Sequence, residues 1–418
     1  MGTDGGPAHE TIIAGGRVVD PANGVDAVRD VAIAGGRIAA VAERIAPGPD
    51  TRVVDATGRI VTPGLVDLHA HCYWGRDYFG IDPDSLAWRS GVTTWVDAGS
   101  AGAFSLPGLR EHVARRSAVR VLGFANISYL GVPGLNYDDY CNPRACDVPL
   151  LTRVIDANRD FVVGVKTRMG RGTFCSPDLG PLRKAVEAAA AAGLPVMCHI
   201  SDAPPGVASV LRLLRAGDIV THAFTGGGQK LVDDAGRLLP AARRARQRGV
   251  RFDVGHGAGS FSFPTAEALV GQGFWPDTIS TDLHQLSLVG PNLLEDQEVM
   301  PRVRADATPS LTLPLVMTKF LSLGMPLAEV VRATTTAPAA AIGRPDLGTL
   351  APGAPADVAV LRLDREPVEL VDIAGNRRVA DRQLRAERTF FAGRELEPRP
   401  MPPPPPWFVM VDDAERPA

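Results

Sequence analysis

Lysine is almost absent from this chain of 418 residues: four stand against 40 arginines. With 47 acidic residues the net charge is −3, so nothing marks the surface for nucleic acid or an anionic membrane. No apolar run approaches the ~20 residues a membrane-spanning helix needs. The opening Met-Gly-Thr-Asp-Gly-Gly-Pro has neither the basic nor the apolar region of a secretion signal. Cysteine is scarce too. The five present (Cys72, Cys141, Cys146, Cys175 and Cys198) are odd in number and form no Cys-x-x-Cys pair. That argues against a disulfide framework and for a reducing, cytoplasmic setting. What remains is a chain 45% hydrophobic, long enough for one large domain and a smaller companion. Its expected partner is a small molecule, with self-association into a homo-oligomer left open.

Residues 11–62 read as a meander of short strands separated by Gly-Gly, Asn-Gly and Pro-Gly turns. From Pro63 the texture changes to apolar strands alternating with Ala/Leu/Arg-rich helices. Strands are expected at 64–69, 92–98, 119–127, 161–167, 195–200, 218–222, 250–255 and 278–283. Eight strands over ~280 residues match an α/β fold of the (β/α)8 TIM-barrel type. Residues 179–192 carry helix grammar, with Pro181 near the start and Gly193 past the end. Another helix is expected over 326–342. Residues 348–395 return to short strands (Gly348-Thr-Leu, Ala356 to Leu361, Arg388 to Gly393) and complete one small β domain built from both termini. The divisions are therefore 1–62 and 345–396 for the halves of that domain, 63–344 for the barrel, and 397–418 for a tail. The end from Pro398 onward, with its proline run Pro402 to Pro406, is expected to be an extended tail without regular hydrogen bonding.

Four segments then stand out: Asp67-Leu-His69-Ala-His71, Val165-Lys166-Thr, Met-Cys-His199 with Thr-His222, and Ser-Thr-Asp282-Leu-His284. Each closes an apolar run, so the side chains would gather at one barrel mouth, where such folds do their chemistry. His69 and His71, two apart on a strand, share a face. Asp67 shares it too, either orienting a ligand or capping barrel packing. Lys166 ends Phe161-Val-Val-Gly-Val, where a free ammonium is costly to bury. One reading is a lysine snorkelling at the rim. The other, favoured beside four strand-end histidines, is a carbamate formed with CO₂, an anion able to bridge two cations. The 22 residues between His199 and His222 fit one helix and one strand. Two divalent ions would be balanced by the carbamate, Asp282 and one hydroxide, with a positive excess left to polarise a carbonyl. Imidazole with carboxylate suits zinc, with manganese, iron or cobalt as alternatives.

Pro63-Gly-Leu-Val-Asp-Leu-His-Ala-His71 resembles the strand-one signature of the amidohydrolase superfamily of metal-dependent hydrolases. Pro338-Ala-Ala-Ala-Ile-Gly343 and Leu347 to Leu361 resemble its C-terminal return to a β-sandwich. The resemblance spans roughly residues 11 to 395. His71-Cys-Tyr-Trp-Gly75, Gly164-Val-Lys-Thr-Arg168, Asp253-Val-Gly-His-Gly257 and Ser280-Thr-Asp-Leu-His284 look most like a branch labelled deacetylases, some members of which carry dihydroorotase labels. The resemblance implies His69 and His71 on one metal, His199 and His222 on the second, a carbamylated Lys166 bridging both, and Asp282 as ligand and proton shuttle. Tyr73 stands where dihydroorotases usually hold an arginine. Adenosine-type deaminases lack the bridging lysine, and D-aminoacylases have cysteine in its place.

The expected chemistry is attack of a metal-bridging hydroxide on an acyl amide or ester, with Asp282 as general acid and base. Cleavage of a cyclic amide such as a hydantoin or dihydropyrimidine is the alternative. A scaffold that has lost its metals is a third reading, opposed by the full ligand set. Arg168, two residues past Lys166, either holds a substrate carboxylate or pairs with barrel carboxylates. His256 and His284 are candidates for substrate contact or for structure in equal measure. Tyr73, Trp74 and Asn126 stand further back, with packing the readier account. The glycines at 226–228 and 255–259 form no phosphate-binding fingerprint.

Overall fold

The computed structural model describes residues 9–76, 79–132, 142–170, 178–288, 302–304, 311–402 and 409–411. Cys141 and Cys175 lie outside them.

The N-terminal meander forms β1 (Thr11–Asp20), β2 (Val25–Ala34), β3 (Arg37–Ala42), β4 (Arg52–Asp55) and β5 (Ile60–Pro63). Seven strands follow: β6 (Leu65–Ala70), β7 (Val92–Asp97), β8 (Arg120–Asn126), β9 (Val162–Met169), β10 (Val196–Ile200), β11 (Ile219–Thr221) and β12 (Arg251–Phe252). They make one all-parallel, curled sheet in sequence order. Every residue of β6, β7 and β9 is buried, as expected for parallel strands covered on both faces. Beyond the edges of this sheet, Asp253 bridges Thr278 and Ala70 bridges Leu283, both in parallel. The segment 278–283 thus meets the sheet at both sides. Val66, Leu68, Val96, Leu122, Phe124, Met197 and Ile219 form an apolar cluster with Ala341 and Ile342. The polar residues of interest lie further along the same strands, at their C-terminal ends.

The rest of the chain adds β13 (Arg302–Arg304), β14 (Val358–Asp364), β15 (Val368–Val371), β16 (Arg377–Ala380), β17 (Gln383–Phe391), β18 (Arg394–Glu395) and β19 (Val409–Val411). Strand β14 pairs antiparallel with β5 and β17, so both ends of the chain share one eight-stranded sheet. Its own core holds Ile13, Val31, Val61, Val358 and Phe390.

Four expectations need adjusting. Segment 278–283, foreseen as the eighth strand, is not a continuous strand and joins the sheet only through the single bridges at Thr278 and Leu283. The helix foreseen over 326–342 is two, Leu327–Thr334 and Thr336–Ala341, parted at Thr335. Pro338 is the cause, since its ring clashes with the carbonyl four residues back and it has no N–H to give. Gly348-Thr-Leu is not a strand; the Leu350 N–H donates instead to the Asp20 carboxylate. The tail is not wholly irregular, because β19 pairs in parallel with β13. The helix foreseen at 179–192 runs Gly180–Ala192. No helix among the described residues is long and apolar enough to cross a membrane.

Candidate metal centre

Strand β6 delivers His69, with His71 just past its end, β9 delivers Lys166 and Arg168, β10 delivers His199, and His222 and Asp282 follow β11 and the bridge at Thr278. Among the described residues His69, His222 and Asp282 place ligand atoms within 4.8 Å of one another. His69 Nε2 lies 3.1 Å and His71 Nε2 3.2 Å from the same Asp282 oxygen, and His222 Nε2 lies 3.9 Å from the other. Lys166 turns inward and its Nζ reaches 3.2 Å from His69 Nε2. The His199 ring packs edge-on against His222, with centroids 4.1 Å apart. Three of the six expected metal-binding side chains thus meet within ligand distance, His71 and Lys166 approach them to 3.2 Å, and His199 packs against the His222 ring. The structure groups His69 with His222 through Asp282, while His71 approaches the same carboxylate.

Hydrogen bonds behind the rings decide which nitrogen faces inward. The Thr221 hydroxyl donates to Asp253, so it must accept from His69 Nδ1, 2.7 Å away. His222 Nδ1 donates to the Gly255 carbonyl at 2.6 Å. Both rings can then turn Nε2 to a cation, as metal-binding imidazoles do; among the protein's own groups, burial and Lys166 oppose a charge on His69, but Asp282 and Asp253 outweigh them and raise it above its ordinary value. His222 Nε2 is buried and has no hydrogen-bond partner among the described residues. An orphaned buried acceptor beside a carboxylate and a second imidazole fits a cation, and this donor set suits zinc. His71 Nδ1 meets the Ser100 hydroxyl at 2.8 Å, on a turn held by Asp97 through the Gly99 and Ser100 N–H groups.

Burial sets the charge states. It pushes the Lys166 amine down to about 8 and His222 down to about 3. Desolvation and the His222 ring hold His199 well below its ordinary value. Burial opposes ionisation of Asp282, yet the charge on His69 and hydrogen bonds from His69 and His71 outweigh it and keep the carboxyl well below the usual range. Asp67, pushed up to about 7 by burial, accepts from the Thr281 N–H at 3.0 Å and hydroxyl at 2.6 Å. It therefore fixes the residue before Asp282.

Backbone geometry carries the same stamp. His222 and Asp282 have φ of 65° and 49°, values few non-glycine residues adopt and ones that recur at functional sites. Gly99 (φ 84°) has no side chain because a Cβ there would overlap the Lys166 stem. At Gly255 (φ 47°) a Cβ would overlap Thr221 Oγ1 and crowd the Nδ1 atoms of His69 and His222. Gly255→Ala is thus expected to lower stability by about 1–3 kcal/mol and weaken metal binding by about 10–100-fold. Thermal unfolding and zinc titration would read the two effects, and wild-type affinity in this variant would remove the Thr221–His69 link from the argument.

The remaining candidates separate. Arg168 is buried, in register with His199 across β9 and β10. The His284 ring lies edge-on to Phe79, with a buried Nδ1 that has no partner among the described residues; burial pushes it down to about 4. Both His256 nitrogens are engaged: Nδ1 donates to the Gly257 carbonyl at 2.8 Å, and Nε2 accepts from Lys319 at 2.7 Å. The Tyr73 hydroxyl donates to the Ser105 carbonyl at 3.3 Å, and Asn126 donates to that of Gly99 at 3.1 Å. Sequence reasoning assigned no role to Asp253, Thr221, Ser100 or Lys319. Asp253 accepts from Thr221, Thr278 and Ser280; an aspartate between Phe252 and Val254, just past the short strand β12, was the signal available.

Comparison with known proteins points the same way. A family model described as the amidohydrolase family matches residues 319–396. A deacetylase of Agrobacterium fabrum is 33% identical over 350 residues, 83% of this chain and 81% of the relative. Two solved structures superpose with TM-scores of 0.82: an adenine deaminase at 30% identity, covering 93% of this chain and 99% of that one, and a dihydroorotase at 31%, covering 92% and 98%.

Proposed function

Because the chain belongs to the amidohydrolase superfamily of metal-dependent hydrolases, we propose that it cleaves an acyl amide or ester, in the manner of a deacetylase, on a small carboxylate-bearing molecule. The observation that carries this is the meeting of Lys166 Nζ, His69 Nε2 and the Asp282 carboxylate at one buried point.

His69, His71, His199, His222, Asp282 and a carbamylated Lys166 would hold two divalent cations, zinc by their donor types. Bound there, the cations supply Lewis acidity and let a water ionise near neutral pH. Asp282 takes the proton of the attacking water and hands it to the departing nitrogen or oxygen, so the acyl group leaves as a carboxylate and the remainder as an amine or alcohol. Asp67, Asp253, Thr221 and Ser100 hold the carboxylate and the rings in place, as groups behind metal ligands commonly do. Arg168 binds the substrate carboxylate, and His284 donates or accepts at the reacting carbonyl. In the same reading the seven parallel strands and segment 278–283 form a complete (β/α)8 barrel over residues 63–344, supported by the bridges at Thr278 and Leu283. Residues 1–62 and 345–396 form a β-sandwich, supported by the pairing of β5 with β14.

Ring opening of a cyclic amide is the second reading, favoured by the solved dihydroorotase. Zinc-loaded protein should be offered N-acetyl amino acids, O-acetyl hydroxy acids, dihydroorotate, hydantoin and adenine. Acetate release from the first two sets is expected; turnover confined to the rings would overturn the deacetylase reading. Arg168→Met should raise KM for carboxylate-bearing substrates by about tenfold or more over neutral ones. Equal changes in both would take Arg168 out of the pocket.

A further inference from the structure

Behind His256 and Gly257 lies a second cavity, of about 340 Å³, none of whose walls comes from the six proposed metal-binding residues. Leu311, Leu315, Leu370 and Ile373 give it an apolar lining, and Lys319 and His256 give it a polar corner. Its size is about eleven waters' worth of space, within the range of small-molecule sites.

Lys319 is the unusual wall. In a chain with four lysines it sits on the helix Leu313–Ser322, 2% exposed. Its Nζ donates to His256 Nε2 at 2.7 Å and to the Val371 carbonyl at 2.6 Å, beneath the rings of Phe261 and Phe263. His256 is neutral by its own bonding, since Nδ1 donates and Nε2 accepts. An ammonium has three N–H donors, and two are spent here on uncharged partners. Among the described residues no carboxylate lies within ion-pair distance of it.

The acidic walls are otherwise engaged. Asp372 accepts from the N–H groups of Phe263, Ala374 and Asn376 and from the Asn376 side chain. Glu369 pairs with Arg377. Burial pushes the Lys319 amine down to about 7 against the attraction of Asp372, and a carboxylate bound in the adjoining apolar space, which is large enough for an organic anion, would favour the ammonium form.

We propose that this cavity binds a small monocarboxylate with an apolar body, its carboxylate on Lys319 Nζ and its hydrocarbon among Leu311, Leu315, Leu370 and Ile373. The site is distinct from the hydrolytic centre. It is nonetheless a wall away, because His256 and Gly257 donate backbone N–H bonds to the carbonyls of Ser280 and Thr281, just before Asp282.

The test uses the full, metal-loaded chain with 5-bromopentanoate and its neutral amide as probes. Calorimetry should show the acid binding about tenfold or more tightly than the amide, and the bromine anomalous signal in soaked crystals should fall among the four apolar walls. Lys319→Met should bring acid and amide to equal affinity. Ile373→Trp, which fills the space and leaves the lysine untouched, should weaken both. Equal binding of acid and amide to the unaltered protein, or bromine found only at the metal centre or nowhere, would overturn the proposal. Neither readout depends on turnover, so failure of the hydrolytic reading would leave this result standing.

Discussion

Lys166→Ala is expected to strip the protein of bound divalent metal and to cut kcat/KM by about a thousandfold or more, with part of the turnover restored by added acetate or propionate. Lys166 is 1% exposed, and its Nζ neighbours are a histidine nitrogen and the Met197 sulfur at 3.5 Å. As an ammonium it would repel cations at the spot where the histidines converge. As a carbamate it would bring negative charge and two oxygens to that spot. The reaction needs the neutral amine, and burial has pushed the group down to about 8. The neutral fraction therefore grows as pH rises through that value. Reloading of metal-stripped protein with zinc, at a fixed concentration of dissolved CO₂, should accordingly quicken between about pH 7 and pH 9 and level off above. Alanine leaves a gap that a free carboxylate can enter, which is why acetate should help. Metal content near wild type together with near-normal turnover in the variant would end the bridging role.

Asp282→Asn should lower kcat by about 10²–10⁴-fold, the usual worth of a positioned acid–base group. The choice of asparagine matters. Asp282 sits at φ 49°, and asparagine is among the few residues that accept this left-handed conformation. The substitution removes charge and proton affinity with little added strain. Asp282→Ala changes both, so it should melt lower than Asp282→Asn. The carboxylate also gathers His69, His71 and His222, so a drop in zinc affinity should accompany the loss of turnover. An Asp282→Asn protein that keeps most of its kcat would show that the proton travels through another group.

Much of this was legible in the sequence because a parallel sheet writes itself plainly. Strands buried on both faces are apolar throughout, so a histidine, lysine or aspartate at the end of one is conspicuous, as Lys166 after Phe161-Val-Val-Gly-Val shows. The seven strands of the curled sheet fall within the spans foreseen for them or shift by a residue or two. What stayed hidden depends on contacts between distant parts of the chain. Thr221 reads as an ordinary strand threonine, and its link to His69 crosses 152 residues. The same holds for Asp67 and Thr281, 214 residues apart. Such pairings are set by the curl of the sheet, which no local pattern encodes. His256, left even between substrate contact and structure, shows the same dependence, because Lys319, from a helix far along the chain, occupies one of its nitrogens. Left-handed φ values at His222 and Asp282 were also invisible, since neither residue type advertises them as glycine does.

The near-absence of lysine has a practical side. Of the four ε-amines, those of Lys166 and Lys319 are sealed in the interior and that of Lys184 is tied to the Cys146 carbonyl at 2.8 Å. Lys230 is the fourth, only partly covered by its surroundings. Amine-directed tags, surface couplings and cross-linkers thus have at most two side chains to choose from on the folded molecule. Isotope-labelled bicarbonate meets correspondingly little background, so a single carbonyl resonance that disappears in Lys166→Ala could be attributed to one nitrogen.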